Sequence, residues 1–279
     1  MSLDPRITPA RADLAAEHLR GIVDAPAYAR PMPMRVRAPL LDVFGNPERS
    51  GGLTTQFLHG EAVDLYDVDA GTGMAWVQNA TDGYVGYVAA DGLAEAGGAA
   101  SDARIGARGT QLYAGPGLKQ APLDALPWLA RVQVTEERDG YARLSCGHWC
   151  PAQHIFRGAE VEDFVAIAAR LIGVPYLWGG RSQAGLDCSA LVQLSLDAVG
   201  IAVPRDSDQQ AALGTDATGP RRRGDLLFWP GHVAIVMDEA TLLHANAHHM
   251  AVVAEPLEPA LARIAATDTG LVRAARRLA

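Results

Sequence analysis

Hydrophobic and polar positions follow three rhythms along this chain. From about Met34 to Ala96 they alternate in short runs: Thr55-Gln56-Phe57-Leu58, Ala62-Val63-Asp64-Leu65-Tyr66, Met74-Ala75-Trp76-Val77 and Tyr84-Val85-Gly86-Tyr87-Val88, with glycine and acidic turns between them. Short strands at that spacing predict a small all-β barrel. From about Arg104 to Phe156 the rhythm returns, with a strand, the acidic Asp139-Gly140 turn, another strand and a Trp149-containing end that echoes DGYVGYVAADGL. This is a degenerate internal repeat. In it Trp149 and Cys150 stand where Tyr87 and Val88 do, so Cys150 reads as a small core residue.

The third rhythm is helical. Leu191, Leu194 and Ala198 form an apolar stripe with Val192, Leu196 and Val199 beside it, and Gly200 supplies a stop. Cys188 then falls in the first turn, after Asp187 as N-cap. Further on, Gly224–Trp229 reads as a strand, Pro230-Gly231 as a turn, His232–Val236 as a second strand and Thr241–Ala245 as a third, paired antiparallel. At the other end, Leu14, His18, Leu19 and Ile22 fall near one face, which predicts an N-terminal amphipathic helix docked on a neighbouring domain.

The 279 residues allow two or three domains. The divisions expected are a helical segment over 1–33, barrels over 34–98 and 99–157, and an α+β domain over 158–279. A net charge of -8 argues against nucleic acid or an anionic membrane as partner. Arg221–Arg223, the one dense basic run, reads as a solvated loop. No apolar run approaches a membrane span, and the first residues lack the apolar core of a signal peptide, so the expected location is cytoplasmic. An odd count of three cysteines suits a reducing compartment better than a disulfide framework.

A lone cysteine is commonly a buried core residue, and a lone histidine a satisfied one. Together, Cys188, His232 and His244 supply the parts of a nucleophilic site: a thiol at a helix N-terminus that favours thiolate, an imidazole base, and a second imidazole to hold the first. This chemistry needs no metal or organic cofactor. Cys146, His148, Cys150 and His154 offer zinc ligands, but from one stretch, where structural sites draw pairs from two separated segments.

The pieces PYLWGG, LDCSALVQ, PRDSDQQ, GDLLFW, GHVAIVM and LLHAN, in that order between about Val161 and Ala279, resemble the NlpC/P60 family of papain-like cysteine peptidases. The two barrels resemble bacterial SH3-like domains. The resemblance implies Cys188, His232 and His244 as the catalytic set, and hydrolysis of γ-D-glutamyl–diamino acid bonds in cell-wall stem peptides, with peptidoglycan-derived peptides as partner and no oligomeric state implied. It also implies a groove in which Glu61, Tyr84 (or Tyr87) and Asp206 select a free N-terminal L-Ala. Taken alone, Glu61 reads as a surface strand charge. Tyr176, Asp187, Ser189 and Ser207 match family positions lining the groove near the γ-D-glutamate carboxylate, although Ser207 reads equally as the cap of a helix beginning near Asp208. The rivals are an amidase or acyltransferase with the same triad, and a wall-binding protein with a vestigial peptidase domain.

Overall fold

Alternation in the first half of the chain builds two antiparallel barrels. The computed structural model describes residues 3–97, 101–159 and 163–278, so the expected division between residues 98 and 99 lies outside the described residues, as do Val161 and Ala279. Two compact units emerge, Met1–Gly158 and Ala159–Ala279, with both barrels in the first.

In the first barrel the strands run in the order Leu53–Leu58, Leu40–Phe44, Val85–Ala89, Met74–Asn79, Ala62–Val68, Met32–Val36 and Leu93–Glu95. Their inward residues, including Val36, Val43, Phe57, Val63, Val77 and Val88, form one core. The second barrel repeats the order, with Pro122–Pro127, Gly109–Tyr113, Trp149–Pro151, Tyr141–Leu144 and Val134–Arg138 in succession. The 3₁₀ turn Ala152–His154 follows Trp149–Pro151 as Ala90–Gly92 follows Val85–Ala89. Cys150 and Val88 are both fully buried, as the repeat requires. One detail of the repeat differs from the reading of the sequence: the Asp139-Gly140 turn joins the strands equivalent to Ala62–Val68 and Met74–Asn79, one hairpin earlier than Asp82-Gly83.

The predicted N-terminal helix does not form. Leu14–Ala16 pairs in parallel with Ala27–Ala29, and only Glu17–Leu19 between them makes a 3₁₀ turn. The stripe from Leu14 to Ile22 spans nine residues, below the roughly 12–15 at which a helix becomes stable in water. Gly21, at φ 83°, ends it. The docking expectation holds, with Ala16 and Leu19 packed on Tyr66 and Trp76, while Ile22 faces solvent.

The second unit is a six-stranded antiparallel sheet in the order Thr215–Asp216, Ala274–Arg277, Leu226–Trp229, His232–Asp238, Thr241–Asn246 and Ala251–Pro256. Its helices are α1 (Phe164–Ala169), α2 (Cys188–Ala198), α3 (Ser207–Gln210) and α4 (Leu257–Ala265). Trp229 pairs with His232 across Pro230-Gly231, whose glycine at φ 69° supplies the positive φ such a two-residue turn needs. Alternation puts His232, Ala234 and Val236 on one face, and α4 packs there through Leu257, Ala260 and Ile264. The other principal helix, α2, lies against the His232–Asp238 and Thr241–Asn246 strands.

Candidate active site

The predicted helix begins at Cys188. Asp187 caps it, accepting the Ala190 N–H at 2.8 Å, and its carboxylate also accepts the Gly179 N–H at 3.0 Å, which ties the preceding turn to the helix start. Between Gly180 and Gly185 the backbones meet so closely that a Cβ on Gly180 would lie 2.4 Å from the Gly185 carbonyl oxygen. Glycine is therefore required where the chain turns into the nucleophile helix.

The largest group at this corner is one that the sequence reading passed over. Arg205, 1 % exposed, donates to both Asp187 oxygens at 3.0 and 2.6 Å and to Ser189 Oγ at 2.8 Å. It lies in PRDSDQQ beside Asp206, but no local pattern marks an arginine as buried. Gln210 of α3 completes the lock, donating to the carbonyls of Ser189 and Pro204. Asp187 and Ser189, expected to line the groove, are thus engaged in holding the helix that carries Cys188.

Cys188 Sγ lies 4.0 Å from the Gly231 carbonyl oxygen. Burial pushes its thiol up to about 12, and the Asp187 charge adds to this, against the backbone N–H groups of Val233 and Ser189 and the Arg205 charge. Burial takes His232 down to about 3, with His244 and Arg263 acting in the same direction. Burial thus favours the neutral thiol of Cys188 and the neutral imidazole of His232 over the resting thiolate expected from the helix terminus, because desolvation outweighs it.

His232 and His244 come together as expected. His232 Nε2 lies 2.9 Å from His244 Nδ1. His244, 1 % exposed, has its Nε2 2.7 Å from Glu255 Oε1; burial lowers its pKa and Glu255 opposes this. Arg263 of α4 reaches the same Glu255 oxygen at 2.5 Å. Glu255 and Arg263 were not singled out from the sequence; the period-two placement of Glu255 on the His244 face is the signal that was there to find. Beside the histidines a cavity of about 320 Å³ is lined by Tyr176, Gly231, His232, His244, Asn246 and Arg263, among others. Burial raises the Tyr176 hydroxyl to about 12, with Cys188 and Asp187 adding to it.

The remaining expected residues are placed as follows. Asp206 occupies the N-cap position of α3 and Ser207 its first turn, so the alternative reading of Ser207 as a cap is not realised. In the first unit Glu61 is 2 % exposed, not a surface charge. Its Oε2 accepts the Leu58 N–H at 3.1 Å and the Asn79 Nδ2 at 2.8 Å. Tyr84 is buried in the first barrel's core, while Tyr87 lies against the N-terminal segment and accepts from Arg11 at 3.2 Å. Of the basic run, Arg221 pairs with Glu258 and Arg223 with Asp163. The four zinc candidates do not converge: Cys150 faces the core, Cys146 is exposed and His154 Nδ1 meets Thr110 Oγ1 at 2.8 Å.

Comparison with known proteins bears on family and fold. Residues 173–263 match the NlpC/P60 family, and residues 43–93 match the bacterial dipeptidyl-peptidase SH3 domain. Dipeptidyl-peptidase 6 of Lysinibacillus sphaericus is 35% identical over 123 residues, 43% of this chain and 45% of its own length. A γ-D-glutamyl-L-lysine dipeptidyl-peptidase of Bacillus subtilis is 34% identical over 93 residues, 30% of this chain and 31% of its own. The chain thus matches less than half the length of these relatives. In fold, a crystal structure of an NlpC/P60 family protein from Bacillus cereus superposes with a TM-score of 0.71 at 19% identity, covering 88% of this chain and 99% of that one. The chain thus carries an NlpC/P60 domain over residues 173–263, preceded in sequence by a stretch that matches the bacterial dipeptidyl-peptidase SH3 domain.

Proposed function

We propose that this protein hydrolyses the γ-D-glutamyl–diamino acid bond of bacterial stem peptides that begin with a free L-Ala, working in the cytoplasm on released peptides. The observation that carries the reading is Cys188 at the N-terminus of α2, with His232 Nε2 hydrogen-bonded to His244 Nδ1 at 2.9 Å in the same unit. The names of the relatives, which include γ-D-glutamyl-L-lysine dipeptidyl-peptidases, point to the bond. In this mechanism the neutral thiol passes its proton to His232 as sulfur attacks the γ-carbonyl carbon. Backbone N–H groups at the head of α2 then stabilise the oxyanion. His232 returns the proton to the leaving amine, and water, activated by the same imidazole, releases the acyl group from Cys188. Tyr176 and Ser207 border the glutamate carboxylate in this scheme.

For selection of a free N-terminus the expected carboxylates are Glu61 and Asp206; Tyr84, enclosed in the first barrel's core, takes no part. An ammonium taken from water needs a carboxylate partner, and Glu61 is a carboxylate already held within the first barrel. The test compares free and N-acetylated L-Ala-γ-D-Glu-diamino acid tripeptides with wild type, Cys188→Ala and Glu61→Gln. Cleavage of the free tripeptide only, lost in Cys188→Ala and weakened in Glu61→Gln, supports the proposal. Equal rates on both peptides would instead mean an open groove and a workplace in intact wall.

A further inference from the structure

The reaction as written leaves Glu255 without a task, although its placement is specific. It lies two residues beyond Val253, which pairs with His244, so alternation puts both side chains on one face of the sheet. Its Oε1 stands 2.7 Å from His244 Nε2 and 2.5 Å from Arg263. Paired with a guanidinium, that oxygen is an acceptor, so His244 Nε2 carries the hydrogen. A neutral imidazole then offers its other nitrogen as acceptor, and His244 Nδ1 receives the hydrogen of His232 Nε2 across 2.9 Å. His232 Nδ1 is left with the free lone pair.

We infer that Glu255, held by Arg263, is a positioning residue that sets the tautomers of both histidines and so presents His232 Nδ1 as the base for Cys188. This rests on the cysteine-peptidase reading above. In the proton transfer the Sγ–H bond breaks, the Nδ1–H bond forms, and the Nε2–H bond of His232 stays intact and pointed at His244. With no acceptor at position 255, His244 is free to carry its hydrogen on Nδ1. His232 then accepts through Nε2 and carries its own hydrogen on Nδ1, where no lone pair remains for the thiol. The other titratable and charged groups around the pair are Cys188 on α2, Tyr176 in the preceding turn, His249 at 3.9 Å from Glu255, and Arg263 on α4. Of these, Arg263 touches Glu255 directly.

The test uses the full chain carrying Glu255→Leu or Glu255→Gln, each checked for retained secondary structure by circular dichroism. The glutamine keeps a carbonyl oxygen where Oε1 accepts from both neighbours, and the leucine keeps only the volume. Iodoacetamide alkylation of Cys188, followed by mass spectrometry from pH 5 to 9, reads the base without any substrate. A charge-assisted hydrogen bond sets the scale, so Glu255→Leu is expected to lower alkylation and kcat by about ten- to a hundredfold with KM unchanged. Glu255→Gln is expected to recover most of both. Nitrogen-15 spectra of the histidine rings should show His232 protonated on Nε2 in wild type and shifted toward Nδ1 in Glu255→Leu. Unchanged alkylation in Glu255→Leu, equal damage from the two replacements, or Nδ1 protonation in wild type would each overturn the inference. If alkylation and spectra behave as stated while the wild type cleaves no tripeptide, the proposed substrate fails and the tautomer assignment stands.

Discussion

Replacing Arg205 with methionine tests how the nucleophile helix is held. The guanidinium is almost fully enclosed and donates to both Asp187 oxygens and to Ser189 Oγ. Methionine fills much of the volume but leaves the Asp187 carboxylate, itself 7% exposed, facing only neutral donors at Gly179, Ser189 and Ala190. Removing one partner of a buried ion pair typically costs about 3–5 kcal/mol, because the other charge stays buried without compensation. For a unit of this size that corresponds to a melting point lower by roughly 10–20 °C. Urea titration with pulsed alkylation of the buried Cys188 reports unfolding of the peptidase unit separately from the barrels. Asp187→Asn keeps a good N-cap residue but removes the carboxylate facing Arg205, and the double variant removes both charges of the pair. The double variant should therefore be less damaged than the sum of the two single changes by about 2–3 kcal/mol. A loss below about 1 kcal/mol in Arg205→Met at unchanged slope, or strict additivity in the cycle, would refute the reasoning.

Three shorter tests address the chemistry. Cys188→Ala should abolish hydrolysis with the fold intact, and His244→Ala should lose less rate than His232→Ala, since orientation costs less than removal of the base; steady-state kinetics on the free tripeptide reads both. Alkylation of Cys188 should still be rising with pH above neutrality, because burial holds its thiol near 12, and a plateau already reached near pH 6 would restore a resting thiolate. Burial depresses His232 to about 3, against about 6.5 in the unfolded chain. Between those values the unfolded state binds the proton and the folded state does not, so stability is full above about 6.5 and falls toward pH 3, by up to about 1.4 kcal/mol per pH unit. His232→Gln should flatten that part of the urea midpoint against pH; an unchanged slope would contradict the assignment.

Much of this protein is legible in local pattern, because the information is itself local. Alternation and acidic-glycine turns determined both barrels and their repeat, and Pro230-Gly231 determined the hairpin that begins with His232. The apolar stripe after Asp187 located α2 and put Cys188 at its start. The N-terminal segment misled for the same reason: nine residues of helical spacing carry too little propensity to resist strand pairing and packing on Tyr66 and Trp76. Only the tertiary structure decided the electrostatics. Arg205, Glu255 and Arg263 look like ordinary surface charges in the sequence, and enclosure by segments distant in the chain makes them the partners of Asp187 and His244. The same enclosure turned the expected thiolate into a thiol, because the cost of burying a charge depends on every atom around it and not on the neighbours along the chain.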